Sequence, residues 1–150
     1  MAHSYTSILL HCIFSTKERK RFILPELQVR LFAYMGGIAR KNKFRLIAAG
    51  GIEDQVHLLS SLSKTLDIAH AMQLIKGGSS KWIHDEFPEL AAFAWQEGYG
   101  AFSICISDVD RTVEYIKNQA EHHKGRDFKG EFVAFLDKHF IEYDPKYLFD

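Results

Sequence analysis

The chain opens with an alternation of side chains at residues 4–16 that is typical of a β-strand. Both alternating sets contain apolar residues, which predicts a strand that packs on one face and is partly covered on the other. The two sets are Tyr5, Ser7, Leu9, His11 and Ile13 against Thr6, Ile8, Leu10, Cys12 and Phe14.

A helix and a hairpin follow this strand. Pro25 suits the first turn of a helix, and apolar residues then recur at helical spacing as far as about Lys41, namely Leu27, Leu31, Met35 and Ile38. Residues 44–49 and 55–62 are strand-like, and Gly50-Gly51 breaks the apolar run between them. These segments therefore predict a β-hairpin.

The next part of the chain predicts a second helix and a second hairpin. Thr65 or Asp67 can cap the helix, which we expect to be bent or split at Gly77-Gly78. Residues 93–97 and 101–107 flank a glycine-rich turn at residues 98–100, and this pattern predicts the hairpin.

Two more helices are predicted at the C-terminal end. Asp108 or Asp110 can cap the first, whose apolar stripe fades near Gly125 and consists of Val109, Val113, Ile116 and Ala120. The second is predicted within residues 128–140, and we expect residues 141–150 to be irregular or to form an exchanging arm. The order of elements predicts a single α+β domain, residues 1–150, in which a split β-α-β antiparallel sheet has helices on one face and extra C-terminal helices.

Composition limits the classes of protein to consider. Of the 150 residues, 47% are hydrophobic and 25% are charged, which is typical of a globular protein and not of a disordered or collagen-like chain. Cys12 and Cys105 are too few for a disulfide scaffold, and no apolar stretch approaches the ~20 residues of a membrane span. The N-terminus also lacks the pattern of a secretory signal. We therefore expect a cytoplasmic protein with no membrane partner.

Charge is balanced overall but uneven along the chain. Lys and Arg number 19, and Asp and Glu also number 19, so the chain lacks the net positive charge of many duplex-binding proteins. Two basic clusters nevertheless occur, Lys17, Arg19, Lys20 and Arg21, and then Arg40, Lys41, Lys43 and Arg45. They fit either a local nucleic-acid-binding face or a solvated turn and helix end.

Two short polar groups could carry chemistry. Gln55 and His57 are two residues apart on a predicted strand, so both side chains point to the same face. Tyr115 and Gln119 are four residues apart on a predicted helix, and His122 lies on the same helix face. Taken alone, the first pair also fits a strand with a structural histidine, and the helix residues also fit a solvent-exposed face.

Four blocks of sequence occur in a particular order: residues 50–59 (GGIEDQVHLL), 76–82 (KGGSSKW), 95–103 (WQEGYGAFS) and 115–123 (YIKNQAEHH). Together they resemble the single-tyrosine transposases of small bacterial insertion sequences and their chromosomal relatives, the REP-associated tyrosine transposases. The resemblance spans nearly the whole chain, and four blocks in order are far more specific than any one of them. The last histidine of the fourth block, His123, is interpreted as a surface residue.

The resemblance implies an HUH endonuclease with a ferredoxin-like (RRM-like) fold that works as a homodimer on single-stranded DNA hairpins. Such an enzyme nicks and transfers DNA strands during transposition. In the family, two strand histidines and a helix glutamine hold a divalent ion, Mg²⁺ or Mn²⁺, which polarises the scissile phosphate. A tyrosine attacks this phosphate and forms a 5′-phosphotyrosine intermediate.

Carried over to this chain, the resemblance makes Tyr115 the catalytic nucleophile and His57 and Gln119 metal ligands. Gln55 stands where the family has its first motif histidine. A neutral amide oxygen is a weaker ligand than imidazole for borderline ions, although Mg²⁺ accepts such oxygens. His122 could add a further ligand from the helix.

The resemblance also implies contacts with DNA. Residues expected to contact phosphates are Arg19, Lys20, Arg21, Ser79, Ser80 and Lys81. Trp82, Trp95 or Tyr99 could stack on an unpaired base, although large aromatic residues in such elements also fit a core.

Three functions are compatible with the sequence. The first is a metal-dependent transposase that nicks single-stranded DNA. Gln55 favours the second, a catalytically impaired relative that kept the fold and binds hairpins. The third is a ferredoxin-like dimer that binds a small molecule. For a transposase, the sequence leaves open whether Tyr115 completes the metal site of its own subunit or that of its partner.

Overall fold

The structure, a computed structural model, describes residues 3–148. Within them four strands form one antiparallel sheet in the order β2-β3-β1-β4. The strands are β1 (Leu9–Ser15), β2 (Arg45–Ile52), β3 (Gln55–Ser61) and β4 (Gly100–Ser103). The α-helices are α1 (Pro25–Lys41), α2 (Ile68–Glu86), α3 (Val109–Lys117), α4 (Gln119–His122) and α5 (Phe128–Lys138).

One face of the sheet packs against α1 and α2. Alternate residues of β1 point to this face, and they are buried in the main apolar cluster with Val56 and Leu58 of β3. The helices contribute Leu27, Leu31, Met35, Ala71, Met72 and Ile75. The sheet order and the connection of its strands through α1 and α2 confirm the predicted α+β, ferredoxin-like fold.

The extra C-terminal helices cover the opposite face of the sheet. On this face α5 packs against Ile13 and Phe102, and α3 packs its Ile116 against β2 and β3. These two apolar clusters are separate. His11 and His57 are buried but belong to neither, so a polar gap lies beneath the C-terminal helices.

The first two strands differ from their predicted bounds. β1 begins at Leu9, so the predicted start at residue 4 is wrong. β2 continues through Gly50-Gly51 to Ile52, although a break is predicted at these glycines. Pairing with β3 extends to Ile52, opposite Gln55, and these ladder contacts outweigh the low strand preference of glycine.

The prediction that the second helix is bent or split is wrong, because α2 runs without interruption through Gly77-Gly78. Asp67 caps it and accepts a hydrogen bond from the backbone of His70 at 2.7 Å. A Cβ atom at Gly78 would lie 2.8 Å from the Ile38 side chain. The glycine therefore allows α1 and α2 to approach closely, and this packing offsets its low helix propensity.

The predicted second hairpin is also wrong, because β4 pairs with β1 and residues 93–97 form no strand beside it. This segment instead pairs with the end of β1. Gln96 contributes its backbone N–H to the Ser15 carbonyl at 2.9 Å, and its side-chain oxygen accepts from the Ser15 N–H at 2.6 Å. Long-range pairing with β1 thus replaces the local turn that the glycines suggest.

The C-terminal part follows the predictions with one interruption. The third helix is divided at Asn118 into α3 and α4, and the last helix, α5, lies within its predicted range. Residues 141–148 contain no helix or strand, as expected, while residues 149–150 of that predicted irregular end lie outside the described residues. None of the helices in residues 3–148 combines the length and the hydropathy needed to cross a membrane.

Candidate active site

β3 places two polar side chains in the polar gap. Gln55 and His57 project from the same face of the strand, and both are fully buried. The amide oxygen of Gln55 lies 3.1 Å from His57 Nε2, whereas its amide nitrogen faces Asp54 Oδ1 at 3.4 Å. The period of two along the strand therefore brings these predicted ligands together.

The other ring nitrogen of His57 contacts a histidine of the neighbouring strand. His11 Nε2 lies 2.9 Å from His57 Nδ1. Burial, and then the neighbouring His57, lower the pKa of His11 to about 3, so its ring is neutral and one of the two imidazoles donates a hydrogen bond to the other. His11 has no predicted role in the site. Its place in the same alternating set as Ile13 is the one sequence signal that it faces this side.

α3 and α4 bring Tyr115 and Gln119 to the same gap. Gln119 is 1% exposed; its amide nitrogen donates to the Tyr115 carbonyl at 3.2 Å, and its oxygen faces His123 Nε2 at 3.2 Å. A Cβ atom at Gly50 would lie 2.3 Å from the carbonyl oxygen of Ile116. The missing side chain in β2 therefore permits the close approach of α3 that positions both residues.

A carboxylate from α5, Glu131, joins these groups and is 2% exposed. Its Oε1 lies 3.0 Å from His57 Nε2 and 3.2 Å from His123 Nε2, and its Oε2 accepts a hydrogen bond from the Tyr115 hydroxyl group. Burial alone would raise the pKa of Glu131, but hydrogen bonds from His123, His57 and Tyr115 outweigh it and hold this pKa below its usual range. The carboxylate is therefore ionised.

The two histidines that face Glu131 differ in their response to burial. Complete burial keeps the pKa of His57 below its usual value despite the nearby carboxylate. At His123 burial acts in the same direction, but the hydrogen bond to Glu131 outweighs it and raises the pKa. Of the two imidazoles beside this carboxylate, His123 therefore binds a proton more readily than His57 does.

Tyr115 lies at the edge of this group. Burial, and then its hydrogen bond to Glu131, raise the pKa of the phenol above its usual value, so the hydroxyl group is protonated near neutral pH. Its ring stacks on His122, with 4.3 Å between the ring centroids. A protonated phenol is a weak nucleophile until a base or a metal ion assists it.

The structure corrects the interpretation of the histidines that follow Gln119. His123, expected at the surface, has only 7% side-chain exposure and contacts Glu131. His122, expected as an additional ligand, is exposed and packs on Tyr115 instead. His123 lies four residues after Gln119, and its Nε2 faces the Gln119 amide oxygen at 3.2 Å, as helical spacing predicts.

Side chains from three elements form a group that suits a divalent cation. The ligand atoms of His57, His123 and Glu131 all lie within 4.8 Å of one another, and the amide oxygens of Gln55 and Gln119 face the two imidazoles. Imidazole nitrogens and carboxylate and amide oxygens all bind divalent ions. The residues present therefore fit a metal ion.

Sequence reasoning identifies three members of this group, His57, Gln55 and Gln119, and misses Glu131 and His123. The only signal for Glu131 is an acidic residue beside Phe132 on the apolar side of a predicted helix. Acidic residues on helices usually face solvent, so this signal is weak without the structure.

The predicted phosphate-binding residues of α2 are not equally accessible. Ser79 is buried, and its hydroxyl group donates to a backbone carbonyl of α2 at 3.2 Å and accepts from Trp95 Nε1 at 3.0 Å. Both contacts hold the Ser79 hydroxyl group within the protein, and its contact with phosphate stays a prediction. Ser80 is half-buried, and Lys81 is exposed and pairs with Asp85 at 2.8 Å.

The basic loop that contains Arg19, Lys20 and Arg21 follows β1. Because the last residue of β1, Ser15, pairs with Gln55, this loop lies at the end of the sheet that carries the site. Lys20 and Arg21 are exposed and pair with acidic neighbours at 4.0 and 3.8 Å. Exposed pairs at such distances contribute little energy, so the two charges can still attract an anionic ligand.

The three aromatic residues predicted to stack on a base differ in burial. Trp95 is a core residue, packed edge to face against two buried phenylalanines at 4.9 and 4.8 Å, so the prediction is wrong for it. Trp82 is half-buried and stacks on Tyr34 at 4.8 Å, and Tyr99 is half-buried. For these two the role stays a prediction.

A cavity of about 380 Å³ lies beside Tyr115, between β4, α3 and α5. Its walls combine aromatic and basic side chains, among them His11, Phe102, Arg111, Phe135 and Lys138. Tyr115, the nucleophile predicted from the sequence, therefore forms part of the wall of a partly basic cavity.

Known proteins resemble this chain over most of its length. The family model of IS200-like transposases matches residues 4–119. The transposase of insertion sequence element IS200 from Salmonella typhimurium is 22% identical over 129 residues, which cover 83% of this chain and 84% of that protein. The ISDra2 transposase TnpA of Deinococcus radiodurans is 26% identical over 114 residues, or 73% and 81% of the two chains.

Two solved structures share the fold. A candidate transposase from Deinococcus radiodurans has a TM-score of 0.65 and 25% identity, with 79% of this chain and 96% of that chain covered. A REP-associated tyrosine transposase bound to a REP hairpin has a TM-score of 0.56 and 18% identity, with 77% and 68% covered. At that identity the second likeness concerns the fold alone.

Proposed function

This chain belongs to the family of IS200-like transposases, and we propose that it nicks and rejoins single-stranded DNA at hairpin ends as a metal-dependent HUH endonuclease. The observation that carries the proposal is the position of Tyr115, whose hydroxyl group contacts Glu131 at the edge of a buried group of metal-ligand side chains. A hydroxyl nucleophile next to a cation site is the arrangement that phosphate transfer to a tyrosine needs.

The proposed ligands of a divalent ion, Mg²⁺ or Mn²⁺, include His57, Gln119 and Gln55. When bound, the ion supplies Lewis-acid stabilisation of the charge that develops on the scissile phosphate. His57 is held through both ring nitrogens, and the side chains of all three residues are buried. The chain thus holds potential ligands in fixed orientations away from bulk water.

In the proposed reaction the Tyr115 oxygen forms a bond to phosphorus, and the bond from phosphorus to the 3′ oxygen breaks. The phosphate stays on the tyrosine as a 5′-phosphotyrosine, the phenol loses its proton, and the released 3′ oxygen ends with one. One phosphodiester replaces another, so the step needs no external energy source. Attack by a free 3′-OH on the phosphotyrosine reverses the step and rejoins the strand.

We propose that DNA reaches Tyr115 across the basic loop, with Arg19, Lys20 and Arg21 on phosphates. Lys81, which is exposed on α2, and the neighbouring Ser80 are proposed as further phosphate contacts. The REP-associated relative is bound to a REP hairpin, which supports a DNA hairpin as the class of ligand. The proposed place of action is the cytoplasm, where the DNA substrate would be found.

We also propose a homodimer with a site completed in cis. β4 has four residues and forms one edge of the sheet, and an apolar groove beside it includes the exposed Ile8, Ile68 and Ile141. An open edge with apolar neighbours favours pairing with a second copy. The contact of Tyr115 with Glu131 of the same chain supports completion in cis.

A covalent-adduct assay tests the proposed reaction. Wild-type protein is mixed with labelled single-stranded hairpin pools and Mg²⁺ or Mn²⁺, and the products are separated on a denaturing gel. We expect a protein–DNA adduct that disappears with chelator and in Tyr115→Phe. Tyr147→Phe, which alters a tyrosine that is 75% exposed, is the matched control and should leave the adduct unchanged. Absence of any adduct in the wild type would overturn the proposal.

A second candidate function is a hairpin-binding relative that has lost the chemistry. Gln55, in place of the first motif histidine, favours it, because the amide is a weaker ligand for borderline ions. This candidate predicts hairpin binding that chelator does not change, no adduct in the wild type, and an adduct in Gln55→His. An adduct already present in the wild type would exclude it.

A further inference from the structure

We propose that Glu131 and His123 complete the metal site with His57, so that a carboxylate from α5 takes the place of the missing motif histidine. The donor set then favours Mn²⁺, Co²⁺ or Zn²⁺ over Mg²⁺. This inference rests on the proposed function, because it concerns the same site. Neither Glu131 nor His123 lies within residues 4–119, the part of the chain that the family model matches.

The Glu131 oxygen lies at distances from the two imidazoles that suit a shared ion. Oε1 of Glu131 lies 3.0 Å from His57 Nε2 and 3.2 Å from His123 Nε2. Two atoms that each lie about 2.1 Å from one ion, at a tetrahedral or right angle, are roughly 3.0–3.4 Å apart. The carboxylate oxygen therefore already has the spacing from each imidazole that a shared ion requires.

The orientation of the rings also fits. His57 uses its Nδ1 for the contact with His11 at 2.9 Å, which leaves Nε2 as the atom that faces Glu131. In a metal-binding histidine, one ring nitrogen usually binds the ion and the other makes a hydrogen bond that orients the ring. His123 likewise points its Nε2 at Glu131.

The glutamine amides alone supply a weaker site. Gln55 and Gln119 contribute neutral oxygens, and their oxygens face imidazole nitrogens at 3.1 and 3.2 Å. Glu131 brings a carboxylate, whose negative charge offsets the charge of a cation, and this 2% exposed group is held in place by contacts with His57, His123 and Tyr115. It thus supplies the anionic ligand that the glutamines lack.

The supporting packing keeps the carboxylate in place. Phe128, Phe132 and Leu136 of α5 pack against Ile13 and Phe102 of the sheet. Asp127 caps the helix by accepting from the Gly130 backbone N–H at 2.9 Å. Glu131 therefore projects from an anchored helix, as a ligand position requires.

The ion preference follows from the ligand atoms. Mg²⁺ prefers oxygen ligands and keeps several waters, whereas imidazole suits first-row transition metals and Zn²⁺. A site with two imidazoles and one carboxylate is therefore expected to bind Mn²⁺ at least about tenfold more tightly than Mg²⁺.

Metal binding without DNA tests this inference. The full chain is titrated with Co²⁺, followed by its visible absorption, and with Mn²⁺ and Mg²⁺ by calorimetry. We expect Glu131→Gln and His123→Gln each to weaken Co²⁺ and Mn²⁺ binding by about 10–100-fold or more. Asp137→Asn, an exposed acid on the same helix, and His122→Gln, the adjacent exposed histidine, are the matched controls and should bind as the wild type does.

A rescue variant distinguishes a loss of metal ligation from a loss of folding. Circular dichroism checks the fold of each variant, and Gln55→His is added to Glu131→Gln. If Glu131 stands in for the motif histidine, the double variant should regain Co²⁺ binding and its absorption bands. Wild-type affinity in folded Glu131→Gln or His123→Gln, no rescue by Gln55→His, or Mg²⁺ binding as tight as Mn²⁺ binding would each overturn the inference.

The two proposals can fail separately. Metal binding that depends on Glu131 and His123, without any DNA adduct, would support the ligand set and contradict the nicking function. A metal-dependent adduct on Tyr115, in a protein whose ion affinity is unchanged by Glu131→Gln, would support the nicking function and contradict the ligand set.

Discussion

At the scale of single residues, the site depends on how His57 is held. Both of its ring nitrogens have partners: His11 on one side, and Gln55 and Glu131 on the other. The ring is fully buried, so each contact replaces one that water would make in the unfolded chain. Losing either partner leaves a buried polar atom unsatisfied and frees the ring to rotate.

His11→Leu tests this support. It removes the hydrogen-bond partner of His57 Nδ1 while filling much of the same volume, so we expect the free energy of unfolding to fall by about 1–3 kcal/mol. The affinity for Mn²⁺ should fall by about 10–100-fold, as for other residues that orient a metal ligand. Urea denaturation and calorimetry measure the two effects. Unchanged Mn²⁺ affinity would show that His11 is only a core residue.

Residues also show how far the sequence predicts the site. Gln55 and His57 can be paired from the sequence alone, because a strand places alternate side chains on one face. Glu131 cannot be placed beside His57 from the sequence alone, because the two residues are 74 positions apart. No local rule indicates which helix covers this face of the sheet. His123 follows Gln119 by four residues, so the helical spacing in the sequence does contain a signal that the two side chains meet.

At the scale of elements, the position of α3 depends on one glycine of β2. A Cβ atom at Gly50 would lie 2.3 Å from the Ile116 carbonyl oxygen, and a backbone atom cannot rotate away. A glycine that looks like a strand break in the sequence is therefore a point of close approach in the fold. The propensities of the residues indicate where a strand forms, but they do not indicate which helix packs against that strand.

Gly50→Ala should destabilise the protein by about 1–3 kcal/mol, because α3 must move away from the sheet. Gly77→Ala provides a matched comparison, since no atom lies within 4 Å of a Cβ atom there. In mid-helix that change should stabilise the protein by about 0.5–1 kcal/mol. Thermal and urea unfolding of both variants measure the difference, and equal effects would contradict the role given to Gly50.

At the scale of the whole molecule, the C-terminal helices convert one face of a ferredoxin-like sheet into a buried site. α1 and α2 cover the first face with apolar side chains, whereas α5 brings Glu131 to the second. The basic loop after β1 lies at the end of the sheet where Gln55 begins β3. The basic loop and the group of potential metal ligands therefore lie at the same end of the sheet, in a chain with no net charge.

Lys20→Ala combined with Arg21→Ala should weaken binding of a single-stranded hairpin and flatten its salt dependence by about one unit for each phosphate that is no longer neutralised. Lys64→Ala is the control. It removes an exposed charge near Leu62, whose backbone contacts Ile8 at the opposite end of β1. Fluorescence anisotropy at several salt concentrations measures both slopes, and equal slopes for the two variants and the wild type would contradict the proposed path of the DNA.

In the proposed reaction Tyr115 carries the DNA. The most direct measurement is mass spectrometry of the peptides of wild-type protein after incubation with hairpin DNA and Mn²⁺, followed by nuclease digestion. We expect a nucleotide linked through its 5′-phosphate to the peptide that contains Tyr115. A nucleotide on another tyrosine, or no modified peptide under conditions in which the hairpin binds, would contradict it.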